Sequence, residues 1–194
     1  MGRKPAGRLG YLIDPTDLVR ASTCDAGQSL EPLTIALADA SATTRVGSAI
    51  ASELRAGMVV TLEGDLGAGK TTLVRGALRA LGVEGAIKSP TFALVEHYPL
   101  SSIYFYHIDF YRFAESAEWE TSGLADCFRA DSVCFVEWPE RVAGMLPPAD
   151  LSLALSFAST DGAGRTLAVR ANSESGERCV SAIAAAFSYP QLPD

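Results

Sequence analysis

The sequence has no long apolar run and uses lysine, histidine and cysteine sparingly. Its longest nearly uncharged apolar stretch, residues 179–187, is about half of the ~20 residues that a membrane-spanning helix needs. The apolar stretch at residues 9–13 is too short for a secretory signal. Ala6 stands where a myristoylation signal requires Ser or Thr. We therefore expect a cytoplasmic protein that does not associate with a membrane.

The same scarcity disfavours zinc sites and direct nucleic-acid binding. The four cysteines form no Cys-x-x-Cys pair and the chain has only two histidines, so the cysteines are expected to be reduced thiols. The formal net charge is −7, and an acidic protein repels a phosphate backbone at long range. We expect no direct DNA binding, and any nucleic-acid partner is expected to be reached through another protein.

Length and composition indicate one globular domain. The chain has 194 residues, of which 48% are hydrophobic and 20% charged, as in ordinary folded proteins. Residues 1–31 show neither a helical nor a strand period and are predicted to be a flexible extension. The domain is predicted to span residues 32–190, with a short tail at 191–194.

Hydrophobic periodicity predicts an α/β fold. Strands are predicted at residues 33–37, 58–63, 91–98, 103–108, 133–137, 151–157 and 166–170. Helices are predicted from a cap at Asp39 or Ser41 to about residue 55, at 71–81 and at 174–187. Strands first alternate with helices and then follow one another, which is typical of a mixed central β-sheet flanked by helices.

One of the three lysines lies in a glycine-rich loop. Gly64-Asp-Leu-Gly-Ala-Gly-Lys-Thr71 fits the pattern G-x-x-x-x-G-K-[ST], and the loop lies between a predicted strand and a predicted helix. Its glycines allow amide N–H groups to surround phosphate oxygens, and the helix dipole adds positive charge there. The pattern predicts nucleoside triphosphate binding, with Lys70 on the β and γ phosphates and Thr71 on Mg²⁺. Thr72 is expected to support the α phosphate or the start of the helix.

The remaining motifs favour adenine over guanine. Guanine-specific GTPases need N-K-x-D and D-x-x-G elements, but the one asparagine, Asn172, lies in no such motif, and Arg112 stands three residues after Asp109. ATP or ADP is therefore the predicted ligand. Asp109 and Glu137 each end an apolar run, and either carboxylate can hold Mg²⁺ or the attacking water.

Four blocks of the sequence, in this order, resemble the TsaE (YjeE) family. They are the loop at residues 64–72, Lys88-Ser-Pro-Thr-Phe-Ala-Leu-Val-Glu96, His107-Ile-Asp-Phe-Tyr-Arg112 and Val136-Glu-Trp-Pro-Glu140. The resemblance covers about residues 33–170. It implies a P-loop NTPase-like domain that binds and hydrolyses ATP during synthesis of threonylcarbamoyladenosine, next to the anticodon of tRNA. It also implies that the protein acts together with the TsaD–TsaB complex and contacts tRNA only indirectly, through that complex.

The resemblance also implies a role for each matching residue. The phosphates are held by the loop residues Asp65, Leu66, Gly67, Ala68, Gly69, Lys70, Thr71 and Thr72. Thr71 and Glu137 hold Mg²⁺, and Asp109 is the candidate base that orients water. Residues 89–91 are expected to form a switch in which the Thr91 hydroxyl senses the γ phosphate.

Four further residues near this site have more than one interpretation. Thr43 is similar to a residue that approaches the base. Trp138 matches a tryptophan near the nucleotide, although an aromatic side chain that closes the sheet edge fits it too. From position alone, His107 is expected to be a structural histidine. Arg112 is expected to form an ion pair with Asp109 rather than to reach a phosphate.

Hydrolysis by the isolated chain is expected to be slow. No arginine is obviously placed as a finger, a group worth about 10³ to 10⁵ in rate, so we expect the TsaD–TsaB complex to accelerate turnover. Two alternatives remain. A P-loop small-molecule kinase would use Asp109 and Arg112 for its acceptor and transfer the γ phosphate to a metabolite. A nucleotide-gated adaptor would need ATP only to set its shape.

Overall fold

A computed structural model describes residues 32–114, 117–159 and 162–188. The predicted extension at residues 1–31 and tail at 191–194 lie outside the described residues. No helix within the described ranges has the length and apolar character needed to cross a membrane.

The described chain forms seven strands and four α-helices. The strands are β1 (Leu33–Leu37), β2 (Val59–Glu63), β3 (Val95–Pro99), β4 (Tyr104–Asp109), β5 (Ser132–Glu137), β6 (Leu151–Phe157) and β7 (Arg165–Ala171). The helices are α1 (Ala40–Ala51), α2 (Lys70–Ala80), α3 (Ala117–Ser122) and α4 (Glu174–Ser188).

The strands form one mixed sheet in the order β1-β7-β6-β2-β5-β4-β3. Its centre is parallel, because β2 pairs in parallel with both β5 and β6, and β5 pairs in parallel with β4. The outer pairs β1–β7, β6–β7 and β3–β4 are antiparallel. The predicted α/β fold with a mixed sheet is confirmed. The parallel centre brings the carboxyl ends of β2, β4 and β5 to one edge, where open α/β sheets bind their ligands.

Both faces of the sheet are buried. On β2, Val60 and Leu62 point into the larger core with α1, α2 and α4, whereas Val59 belongs to a smaller core on the opposite face. This alternation follows from the period of two along a strand. The smaller core includes Leu124 and Val142, which lie in two short 3₁₀ segments (Leu124–Cys127 and Pro139–Val142).

Two boundaries differ by about four residues from the sequence-based expectations, and one short helix was not predicted. The first helix ends at Ala51 rather than near residue 55, because the chain turns there and the Glu53 N–H donates to the Ile50 carbonyl at 2.9 Å. The strand predicted at residues 91–98 starts only at Val95. Before it, Leu94 has a φ of 64° and donates to the Pro90 carbonyl at 2.7 Å, so residues 90–94 form a turn. Helix α3 was not predicted, because its six residues are too few for a periodic signal.

Helices α1 and α2 meet through two glycines. A Cβ added at Gly47 would overlap the Leu73 carbonyl oxygen, and one added at Gly76 would overlap the Thr44 carbonyl oxygen. Because these neighbours are backbone atoms, they cannot move aside as a flexible side chain would. This close approach fixes α2, whose first residue is the loop lysine, against its neighbouring helix.

The substitutions Gly47→Ala and Gly76→Ala are expected to destabilise the fold by at least about 1–3 kcal/mol each, as overpacking does. Denaturant unfolding followed by circular dichroism measures the change. Ser41→Ala, an exposed position in the first turn of α1, is the control and is expected to stay within about 0.5 kcal/mol of the parent chain. Parent-like stability of both glycine variants would show that the helices can separate at no cost.

Candidate functional site

The glycine-rich loop runs from the end of β2 to the start of α2. Gly64 has a φ of 129°, and a Cβ there would overlap the Leu155 carbonyl oxygen, so only glycine fits. Gly69 has a φ of 112° and precedes α2 without a side-chain cap on the helix. The first amide N–H groups of α2 are therefore left for a ligand, and the helix dipole makes an anion the favoured one.

Lys70 folds back over the loop. Its ammonium Nζ donates to the carbonyl oxygens of Gly64 at 2.5 Å and Asp65 at 2.9 Å. The same Nζ lies 4.0 Å from the centre of the Trp138 ring, close enough for a cation–π contact. Burial lowers the pKa of Lys70, and the negative charges of Glu137 and then Asp109 offset part of that effect. A cation is thus held among carboxylates at the mouth of the loop.

Glu137 ends β5 and is only 3% exposed. Its Oε1 accepts a hydrogen bond from Thr71 Oγ1 at 2.7 Å and lies 2.8 Å from Nε2 of the fully buried His107. An ionised carboxylate only accepts hydrogen bonds, so Nε2 carries the proton of that contact. His107 Nδ1 is buried without a partner in the described structure. Through the Nε2 contact, His107 orients the Glu137 carboxylate from within the core.

Asp109 ends β4 and lies directly opposite Glu137 in the sheet register. Its Oδ2 accepts from Thr91 Oγ1 at 2.7 Å, and its Oδ1 accepts from the Tyr111 backbone N–H at 2.8 Å. The Ser89 and Thr91 hydroxyl oxygens are 2.9 Å apart. The segment expected to be a switch, residues 89–91, is therefore hydrogen-bonded to the carboxylate expected to orient water.

Oxygen ligands suited to Mg²⁺ meet at the Thr71–Glu137 contact. The hydroxyl and the carboxylate lie 2.7 Å apart, and Mg²⁺ prefers oxygen ligands, with water and phosphate completing its shell. Within the described residues no group of three or more His, Cys, Asp or Glu side chains could hold a metal ion. The pair suits a metal that arrives with a phosphate ligand rather than one enclosed by the protein alone.

The other candidate residues surround the loop. A groove of about 230 Å³ lies beside it and is lined in part by Thr43, Gly67, Ala68, Gly69, Thr72 and Arg165. Asp65 and Leu66 are exposed at the tip of the loop, and Leu66 is 67% exposed. Thr43 on α1 lies at the wall of the groove, and its Oγ1 donates to the Asp39 carbonyl at 3.2 Å.

The expectation for Arg112 was wrong. Its guanidinium carbon lies 4.1 Å from the centre of the Phe92 ring, and no ion pair with Asp109 is present in the described part of the chain. Arg165, which contacts the loop, was missed altogether, because it lies some hundred residues away along the chain. In the structure the adjacent Gly164 has a φ of 68° and turns the chain just before β7.

Comparison with known proteins gives a consistent result. The family model for "Threonylcarbamoyl adenosine biosynthesis protein TsaE" matches residues 37–171. The tRNA threonylcarbamoyladenosine biosynthesis protein TsaE of Haemophilus influenzae is 47% identical over 100 residues, which are 52% of this chain and 63% of that protein. The protein of the same name from Bacillus subtilis is 37% identical over 119 residues, which are 61% of this chain and 74% of that protein.

A solved structure shares the fold. The crystal structure of YdiB from Bacillus subtilis superimposes with a TM-score of 0.67 at 27% sequence identity, covering 82% of this chain and 98% of that chain. The predicted P-loop NTPase-like architecture is confirmed by this similarity. Because the matched family model spans well over half of the sequence, the chain belongs to the TsaE family of threonylcarbamoyl adenosine biosynthesis proteins.

Proposed function

We propose that this protein binds ATP in the glycine-rich loop and hydrolyses it with Mg²⁺, in support of threonylcarbamoyladenosine modification of tRNA. The observation that carries the proposal is the convergence of Lys70, Thr71, Asp109 and Glu137 at the carboxyl edge of the parallel strands. These are the groups that phosphoryl transfer requires at one point: a cation, a hydroxyl and two carboxylates.

Binding would change the partners of Lys70. In the structure its ammonium is satisfied by two loop carbonyls and the Trp138 ring. Phosphate oxygens carry full negative charge and would attract the ammonium more strongly than neutral carbonyls do. Their charge would also favour the protonated lysine, opposing the burial that lowers the pKa of Lys70. The loop amides and the helix terminus would hold the same phosphates from the other side.

The two carboxylates would divide the work of hydrolysis. Thr71 and Glu137 would hold Mg²⁺, which, when bound, supplies positive charge to the phosphate oxygens. His107 fixes the Glu137 carboxylate in place through its 2.8 Å contact. Asp109 would accept a hydrogen bond from water in line with the γ phosphate. Thr91, now hydrogen-bonded to Asp109, would exchange that bond for one to the γ phosphate, which makes residues 89–91 the candidate switch.

The TsaD–TsaB complex is the proposed partner, in the cytoplasm, and tRNA would be reached only through that complex. Two observations support a partner-dependent enzyme. Arg112, the arginine nearest to Asp109 in sequence, stacks on Phe92 instead of pointing to the carboxylates. The acidic charge of −7 disfavours independent tRNA binding.

Lys70→Ala is expected to abolish support for tRNA modification, because no other group in the loop supplies its charge to the phosphates. The assay is reconstituted modification over many turnovers, and free phosphate release is measured alongside. Arg170→Ala, an exposed position on β7, is the matched control and is expected to behave as the parent chain. Full activity of Lys70→Ala would refute the assignment of the loop, and transfer of labelled γ phosphate to a metabolite would indicate a kinase.

Glu137→Gln and Asp109→Asn are expected to separate the two carboxylates. Glu137→Gln should raise the Mg²⁺ concentration needed for half-maximal hydrolysis while weakening ADP binding much less. Asp109→Asn should leave that midpoint in place and lower the maximal rate by about 10²-fold or more, as loss of a general base does. Magnesium titrations of phosphate release, with ADP affinity from calorimetry, measure both. The reverse pattern would exchange the two roles.

The isolated chain is expected to hydrolyse ATP slowly, and the TsaD–TsaB complex should raise kcat by at least about tenfold, as expected when a partner completes transition-state stabilisation. Steady-state phosphate release with and without the complex is the measurement. Equal turnover in the two conditions would contradict partner stimulation. Continued modification through repeated rounds with a non-hydrolysable analogue would instead favour the nucleotide-gated adaptor.

A further inference from the structure

Arg165, the first residue of β7, lines the groove beside the glycine-rich loop and is hydrogen-bonded to two of the loop carbonyls. Its Nε donates to the Ala68 carbonyl at 3.0 Å and its Nη2 donates to the Gly67 carbonyl at 3.2 Å. Its Nη1 donates to the Gly162 and Gly164 carbonyls, each at 2.7 Å. One guanidinium therefore joins the β6–β7 connection to the loop.

The direction of these contacts matters for the other side of the loop. A trans peptide unit is planar, with its carbonyl oxygen and the next amide N–H pointing in opposite directions. Holding the Ala68 carbonyl outward therefore fixes the direction of the Gly69 N–H. The Ala68 N–H is already used, because it donates to the Asp65 carbonyl at 3.1 Å. The Gly69 N–H thus remains for a ligand at the start of α2.

This peptide unit needs such a restraint. Gly69 has a φ of 112°, a conformation that only glycine adopts readily, and glycine also has the most freedom to leave it. No side chain caps α2 at this end. Arg165 is itself held in place, since its guanidinium carbon lies 4.3 Å from the centre of the Phe157 ring, its register partner on β6. The arginine is thus held by its contact with the neighbouring strand as well as by its hydrogen bonds to the loop.

We propose that Arg165 is a positioning residue for nucleotide binding, because its guanidinium holds the Gly67 and Ala68 carbonyls outward and keeps the Gly69 N–H turned to the phosphates. The inference rests on the proposed nucleotide binding at this loop. Lysine cannot replace arginine here, because a single ammonium lacks the fixed fork of donors that reaches two loop carbonyls and two turn carbonyls.

The test compares Arg165→Lys and Arg165→Ala with Arg170→Lys, an exposed control on the same strand. Calorimetry with Mg·ADP is expected to show affinity weakened by about tenfold in both Arg165 variants, the order expected for lost charge-assisted hydrogen bonds, and unchanged in the control. When the hydrolysis rate is measured over a range of ATP concentrations, the kcat of the Arg165 variants should change far less than their KM for ATP. Hydrogen exchange of the nucleotide-free protein should be faster in residues 64–70 of both Arg165 variants, with β7 as protected as in the parent chain.

The outcomes separate this inference from the proposed function. Parent-like ADP affinity in Arg165→Lys, or unchanged hydrogen exchange of residues 64–70 in Arg165→Ala, overturns the proposal that Arg165 positions the loop. A lower melting temperature with parent-like ADP affinity overturns it as well, because that is the mark of a purely structural arginine. Failure of the parent chain to bind ADP overturns the proposed function, while the exchange measurement still tests the contact between Arg165 and the loop.

Discussion

Three buried charged groups at one edge of the sheet constrain the rest of the site. Lys70 is 4% exposed, Asp109 2% and Glu137 3%, and a charge removed from water is costly unless it is paired or hydrogen-bonded. Each group accordingly has its own partners in the structure: two carbonyls for Lys70, a hydroxyl and an amide for Asp109, and a hydroxyl and an imidazole for Glu137. The two carboxylates thus lie beside each other, and the Lys70 ammonium supplies a nearby positive charge.

The sheet register creates this arrangement. Asp109 and Glu137 are register partners on two parallel strands, and Leu62 of β2 is the partner of Glu137 on the other side. A slip of one residue between β4 and β5 would turn one carboxylate to the opposite face of the sheet. The buried apolar residues of both strands, such as Phe105 and Phe135, whose rings stack at 4.9 Å between centres, make such a slip unfavourable. Core packing and site geometry are therefore specified together.

The sequence predicts most of the strands and the loop because their signals are local. The Asp39 cap, the run at residues 151–157 and the loop glycines each depend on neighbouring residues, and the structure places each element as expected. Contacts between distant segments have no such signal. Arg112 pairs with a ring instead of a carboxylate, and Arg165 reaches the loop across 97 positions. The turn at residues 90–94 replaces the first part of the strand predicted at residues 91–98, because the Leu94 N–H donates to the Pro90 carbonyl and not to a neighbouring strand.

The strand order has a consequence for the behaviour of the protein in concentrated solution. Within residues 32–114, 117–159 and 162–188, no strand pairs with the outer side of β1 or β3, and an exposed sheet edge can add a strand from another molecule. Both edges here have only five residues. β3 ends at Pro99, which has no backbone N–H to donate. It also carries Glu96, and if two copies of β3 paired with each other, the two glutamates would repel one another. The short length, the charge and the terminal proline of β3 therefore disfavour the addition of a further strand at this edge.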